Sequence, residues 1–133
     1  MMNRRVFVKL GIFSAGAMTL PLLHCHSNDQ YNVLLHQPSF LSQVCDEKAL
    51  REIGLAYMRL KPEEKKTNRL IDVLTVEPGG KKLSRKASDK EVQSFLNDKI
   101  HTDFEKNDTI TLNGWVLSFT EARQCALFSL MPL

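Results

Sequence analysis

No stretch of this sequence holds the roughly 20 consecutive apolar residues that a membrane-spanning helix needs. The greasiest run, Leu10 to Leu23, is about 14 residues long and is diluted by Gly11, Ser14, Gly16 and Thr19. Cysteine is scarce, three residues in 133, with no Cys-x-x-Cys pair and no His/Cys group at zinc spacing. That removes the common structural zinc motifs. His24-Cys25-His26 carries donor atoms, but its place at a signal junction explains it better than a metal does. Nucleophile elbow, phosphate-cradling glycine loop, haem-attachment motif and dinucleotide fingerprint are all missing. The sequence therefore points away from a free-standing enzyme. An active site assembled from scattered residues would have to draw on Glu121 or the histidines His36 and His101.

What is present begins at the amino end. Asn3-Arg4-Arg5-Val6-Phe7-Val8-Lys9 precedes the apolar run, and no acid occurs before Asp29. A positive n-region followed by an apolar h-region is the pattern of a secretory signal. Paired arginines, with Phe7 and Lys9 behind them, match the twin-arginine export motif, an address read by its own receptor. The competing reading, an uncleaved anchor or a buried core helix, is weakened by Arg4 and Arg5 and by Pro21, which disturbs a helix. Leu22-Leu23-His24-Cys25 resembles a lipoprotein box whose cysteine is acylated, although His24 stands where a small residue is usual. Ala15-Gly16-Ala17 is a rival cleavage site that leaves an apolar tail. Lipidation of Cys25 would hold the chain at a membrane surface. The expected location is the bacterial periplasm, free or membrane-anchored.

Cutting before Cys25 leaves 109 residues, enough for one small domain with a modest core. The formal charge of +3 resides in Arg4, Arg5 and Lys9, so the remainder balances 15 basic against 15 acidic residues. Such neutrality argues against a nucleic-acid partner, which needs an electropositive footprint. The local run Lys81, Lys82, Arg85, Lys86 and Lys90 reads as a solvated linker, with a docking patch for an acidic partner as the lesser alternative. If Cys25 is removed or acylated, Cys45 and Cys125 remain as a pair. They would close a loop of about 80 residues as a disulfide, stabilising by roughly 4 kcal/mol. Two buried free thiols are the other reading.

Periodicity predicts a mainly α fold: about four helices in residues 40–133, with a C-terminal β-hairpin, after a signal segment at 1–25 and a polar tether at 26–39. Leu34, Leu35 and Phe40 could dock locally. Asp46 precedes a helix with Leu50, Ile53, Gly54, Tyr57 and Leu60 on its apolar face. Glu47, Arg51, Glu52 and Ala56 fall on the polar one. Pro62-Glu63-Glu64 fits the first turn of a second helix carrying Leu70, Ile71, Val73, Leu74 and Val76 and stopped by Pro78-Gly79-Gly80. Ser88-Asp89-Lys90-Glu91 is a capping box for a third, with Val92, Phe95, Leu96, Ile100 and Phe104 as its stripe. Thr109 to Leu112 and Trp115 to Ser118 flank Asn113-Gly114, a tight-turn signal that pairs Leu112 with Trp115 and Ile110 with Leu117. Ser118 to Glu121, or Thr120 alone, caps a final apolar helix from Glu121 to Leu130.

Aromatic residues are 8% of the chain and Trp115 is the single tryptophan. It reads as a core anchor or, functionally, as an interface anchor, the role in which tryptophan dominates binding hot spots. Glu121 reads as satisfying helix-terminal amides, and Arg123 as solvated or paired with an acid. His101 reads as a surface residue.

The motif Arg4-Arg5-Val6-Phe7-Val8-Lys9, the chain's size, the Phe40 to Leu60 helix and the Trp115 region together resemble the small subunits of bacterial flavoprotein gluconate and sugar dehydrogenases. The resemblance implies a non-catalytic subunit that carries the export signal for a larger, signal-less partner, and FAD in that partner rather than in this chain. No catalytic residue carries over. The alternative is a solitary exported lipoprotein with a binding or structural role, folding quickly before export as helical domains of local contacts do.

Overall fold

The computed structural model describes residues 33–77 and 79–132. The export-signal residues Arg4, Arg5, Phe7 and Lys9 and the lipidation candidate Cys25 lie outside them. The chain is mainly helical with one antiparallel hairpin. A short α1 (Leu41–Val44) leads into α2 (Glu47–Leu60), a 3-10 turn (Pro62–Glu64) and α3 (Thr67–Leu74). A loop then reaches α4 (Asp89–Glu105), the hairpin β1 (Thr109–Leu112) and β2 (Trp115–Ser118), and α5 (Phe119–Ser129).

The starts of α2, α4 and α5 follow local capping chemistry. The Asp46 side chain accepts the Ala49 N–H at 2.8 Å and so starts α2. Ser88 and Glu91 form the reciprocal capping box of α4, and Ser118 with Glu121 repeats it for α5. Each satisfies two helix-terminal amides that otherwise have no partner.

The core is built where α5 crosses α2. Gly54 sits against α5 so closely that an added Cβ would lie 2.6 Å from the Cys125 carbonyl carbon and 2.9 Å from the Ala126 Cα. Ala122 and Ala126, both fully buried, present the matching small surface. Leu50, Ile53, Tyr57, Leu70, Leu74 and Leu127 fill the space around this seam. Ala56 belongs to the core as well, correcting its expected place on the polar face, and Leu60 is exposed instead. Met58 is also buried, so the covered arc of α2 is wider than the stripe the spacing marks.

The second expected helix is two elements. Lys66 is extended (φ −100°, ψ 140°), which ends the 3-10 turn and restarts the chain as α3. That helix stops before the Pro78-Gly79-Gly80 signal, at Thr75, whose hydroxyl bonds back to the Ile71 carbonyl at 2.8 Å. Val76 leaves the helix to bridge Lys82, and Leu83 N–H donates to the Thr75 carbonyl at 2.7 Å. The basic run is thus solvent-facing, but its first residues fold back on α3 rather than running as a free linker.

On α4 only Val92 and Leu96 are fully buried, while Phe104 at the far end is exposed. The hairpin has the expected register, Leu112 opposite Trp115 and Ile110 opposite Leu117. Asn113 (φ 50°) and Gly114 (φ 86°) both take the left-handed backbone that this tight turn demands. Leu112 and Leu117 bury their side chains, whereas Trp115 at the turn end stays partly exposed. Residues 33–39, read from the sequence as part of a tether, belong to the same compact unit as the helices and hairpin. Leu35 is fully buried and His36 nearly so, whereas Phe40 projects into solvent.

Candidate interaction site around the final helix

Trp115 opens β2 beside the hairpin turn, Glu121 and Arg123 lie in the first turns of α5, and the structure gives them three different fates. Ser118 Oγ accepts the Glu121 N–H at 3.0 Å and Glu121 Oε1 accepts the Ser118 N–H at 3.1 Å. Glu121 is buried in this box and has no free face for a partner. Asp103 on α4 adds a second clamp. Its Oδ2 accepts the Thr120 N–H at 2.8 Å and the Thr120 hydroxyl at 2.7 Å. A carboxylate at this position also meets the positive end of the helix dipole.

Arg123, one turn further along, is paired with Glu64 of the 3-10 turn. Arg123 Nε donates to Glu64 Oε1 at 2.9 Å and Nη2 to Oε2 at 3.2 Å, a bidentate grip. The fully buried Tyr57 hydroxyl donates to Glu64 Oε1 at 2.8 Å and accepts from Arg123 Nε at 3.2 Å. Burial alone would raise the Glu64 pKa, but the hydrogen bonds from Arg123 and Tyr57 outweigh it and hold the carboxyl below its ordinary range. Burial opposes the charge on Arg123 too, and the bond to Glu64 reverses that and strengthens it. Burial, aided by Glu64, pushes the Tyr57 phenol well above its usual range, so it stays a neutral donor. Phe119 completes the cluster: its ring lies 6.4 Å edge-on from Tyr57, with Arg123 at 5.5 Å and Lys61 at 5.6 Å. Each polar group here has a partner inside the fold, so the arrangement locks α2, the 3-10 turn and α5 together.

Sequence reading missed Tyr57, Glu64 and Asp103. A tyrosine on an apolar helical stripe is the one local hint, because a buried phenol needs a hydrogen-bond partner. Nothing in the sequence says which acid supplies it.

Exposed apolar side chains among the described residues include Trp115 and Val116 on the hairpin, Phe40 and Val44 at either end of α1, Leu55 and Leu60 on α2, Phe104 on α4 and Leu130 after α5. Trp115 and Val116 are consecutive strand residues and so point to opposite sides of the hairpin. Cys45 and Cys125 are free thiols in this structure. Burial, with Glu121 and Cys45 adding to it, pushes Cys125 up to about 12, which leaves it an inert thiol. Cys45 is raised by burial and by Asp46. His101 is exposed and lies 3.4 Å from Glu105.

A cleft of about 400 Å³ opens between the 77–87 loop and α4, with Glu77, Lys81, Lys82, Phe95 and Asp98 among its walls. Its charges are mixed. Among the described residues no three His, Cys, Asp or Glu side chains converge as metal ligands. No helix among them is long and apolar enough to cross a membrane. No known protein family, curated protein or solved structure matches the chain.

Proposed function

We propose that this chain is a non-catalytic small subunit and export escort of a larger exported oxidoreductase of the flavin type, tethering it at the membrane if Cys25 is acylated. The observation that carries the reading is the twin-arginine motif at Arg4-Arg5 joined to a domain whose sequence holds no catalytic motif. An exporter of folded proteins is needed most by a partner that binds its cofactor before export, and FAD in the partner meets that condition.

The chemistry of the domain supports a binding role. Its polar cluster around Glu64 is turned inward and saturated, while Trp115 and Val116 stand out on a short hairpin fixed by the Asp103–Thr120 clamp. A rigid aromatic presented this way is the usual anchor of a protein interface. Glu121 and Arg123 act behind it as positioning residues.

Replacing Arg4 and Arg5 by lysine in cells tests the proposal. The expected result is loss from the periplasm of both this chain and a second, signal-less protein that co-purifies with it. Retention of this chain alone, with no other protein losing export, favours a solitary binding or structural lipoprotein and overturns the escort reading. Trp115→Ala is expected to weaken co-purification at least tenfold while leaving the helical circular dichroism spectrum intact.

A further inference from the structure

Residues 33–40 are held to the domain at the opposite end of α5, and the contact there has an unusual composition. His36 is only 8% exposed, and its ring centroid lies 5.6 Å from that of Phe128. The Arg51 guanidinium from α2 lies over the same Phe128 ring at 4.7 Å. Arg51 Nη1 donates to the carbonyls of Phe128 at 3.2 Å, Ser129 at 3.4 Å and Met131 at 2.9 Å, so the guanidinium serves as the C-terminal cap of α5. His36 Nδ1 and Arg51 Nε are both buried without a hydrogen-bond partner.

This geometry accepts a neutral imidazole and rejects a charged one. Protonation of Nδ1 would place a second cation against the aromatic ring that Arg51 already covers, with no anion to receive it. A buried unpaired charge is among the costliest features a fold can carry. Among the described residues the groups acting on His36 are Arg51 from α2, the uncharged Phe128 ring from α5 and the histidine's own backbone carbonyl, with no carboxylate among them. Polar ties recorded on the rest of the segment, among the described residues, are the Ser42 N–H to the Pro38 carbonyl at 2.9 Å, the Gln43 N–H to the Phe40 carbonyl at 3.0 Å and the Gln93 side chain to Ser39 Oγ.

We infer that His36 is a pH-operated latch, whose protonation frees residues 33–40 from the end of α5 and uncovers the apolar Leu35 and Phe128. This stands apart from the proposed escort role and holds whether or not a partner exists. The direction follows from the surroundings. Burial lowers the imidazole pKa, its own carbonyl offsets part of that, and Arg51 lowers it further below the ordinary 6.5. A value depressed in the docked state means that the latch contributes its full stability above 6.5. That stability is lost as pH falls from there through the docked-state value. One proton taken up on release allows the ratio of open to docked segment to rise by up to about tenfold per pH unit in that window.

The test uses the full chain. Amide exchange is followed at Ser42, whose N–H bonds to Pro38, with Leu96 in α4 as the internal reference, both expressed as protection relative to free peptide. Protection at Ser42 is expected to fall by several-fold up to tenfold per unit below pH 6.5 while Leu96 holds. In His36→Phe, which keeps an apolar ring against Phe128 and cannot titrate, the Ser42 profile is expected to be flat. Equal falls in wild type and His36→Phe overturn the latch. Should that variant fail to fold, an imidazole NMR titration of the wild type decides. A midpoint below 6.5 that coincides with the loss at Ser42 supports the latch, and one at or above 6.5, or one unconnected to Ser42, refutes it.

Discussion

The two ends of α5 are secured in opposite ways. At its start the Ser118–Glu121 box, the two hydrogen bonds from Thr120 to Asp103 and the bidentate Arg123–Glu64 pair follow one another within six residues, and none of these side chains leaves a buried polar atom unpaired. At its end one guanidinium serves three carbonyls, and that same guanidinium and the neighbouring imidazole each leave a buried nitrogen unpaired. A saturated network resists change because any opening exposes many satisfied groups at once. At the other end the guanidinium is joined only by bonds within the last turn, from the Ser129 hydroxyl to Ala126 and from the Leu130 and Met131 amides to Leu127 and Phe128. The difference places rigidity beside the hairpin, where the proposed interface lies, and responsiveness beside residues 33–40.

The seam between the two ends gives the largest expected effect. Gly54→Ala puts a methyl into the Cys125 backbone, which has no flexible side chain to yield, so α2 and α5 must separate along their whole contact. Overpacking typically costs 1–3 kcal/mol, and a clash with backbone belongs at or above the top of that range, about 3–4 kcal/mol. Chemical denaturation is expected to show that loss, with both ends of α5 becoming exchange-labile together. If one end keeps its protection, the seam is not what joins them.

Breaking the saturated end comes next. Glu64→Ala leaves the Arg123 guanidinium and the buried Tyr57 hydroxyl without their acceptor. Removing one partner of a buried pair costs about 3–5 kcal/mol, and the lower figure applies here because Arg123 keeps some contact with solvent. The same carboxyl makes this end sensitive to acid. Its pKa is held below the ordinary 4.5, so its contribution is complete above that pH and disappears as pH falls through the lowered value. Glu64→Gln is expected to flatten the acid limb of the stability profile measured by urea melts, without touching the slope assigned to His36 just below 6.5. A wild-type profile with no acid limb attributable to Glu64 would erase the contrast between the ends.

Those signals that are local in the sequence transferred to the fold without loss. Ser88 to Glu91 states the start of α4 within four residues, and Asn113-Gly114 states both the turn and the register of the hairpin. The Arg123–Glu64 pair spans 59 positions, so an acid placed at a helix start by local rules turned out to face inward. That long-range demand also accounts for the break at Lys66: Glu64 is directed at Tyr57 before the chain restarts as α3. Ala56 was misplaced for a similar reason, since periodicity fixes the centre of a buried stripe and the partner helix fixes its width. Within the candidate site, Glu121's capping role was legible, and pairing with an unnamed acid was one of two readings of Arg123. Leu34 and Leu35 hinted at local docking beside His36, but nothing in the sequence names Phe128 and Arg51, which meet it from distant helices.

The finest comparison sets one cap against the other. Ser118→Ala removes the side-chain acceptor of the first box, a change that typically costs about 1 kcal/mol. Asp103 still holds Thr120, and Phe119 N–H still donates to the Asp108 carbonyl at 3.2 Å, so the loss is expected at or below that figure. Arg51→Ala strips three carbonyls of a charged donor, although that of Phe128 keeps the Met131 amide at 3.0 Å. Bonds to charged groups contribute about 1.5–3 kcal/mol, and removing a guanidinium that itself has a buried unpaired nitrogen moderates the loss to roughly 2 kcal/mol. Eleven residues at about 1.5 Å each separate the caps by roughly 16 Å. Effects that far apart add to within about 0.5 kcal/mol when they share no partners. The double variant is therefore expected to lose about 3 kcal/mol in urea denaturation, with Arg51 carrying the larger part. A clearly non-additive result would mean that α5 responds as one rigid rod, and that its loosely held end is not free to move independently of the saturated one.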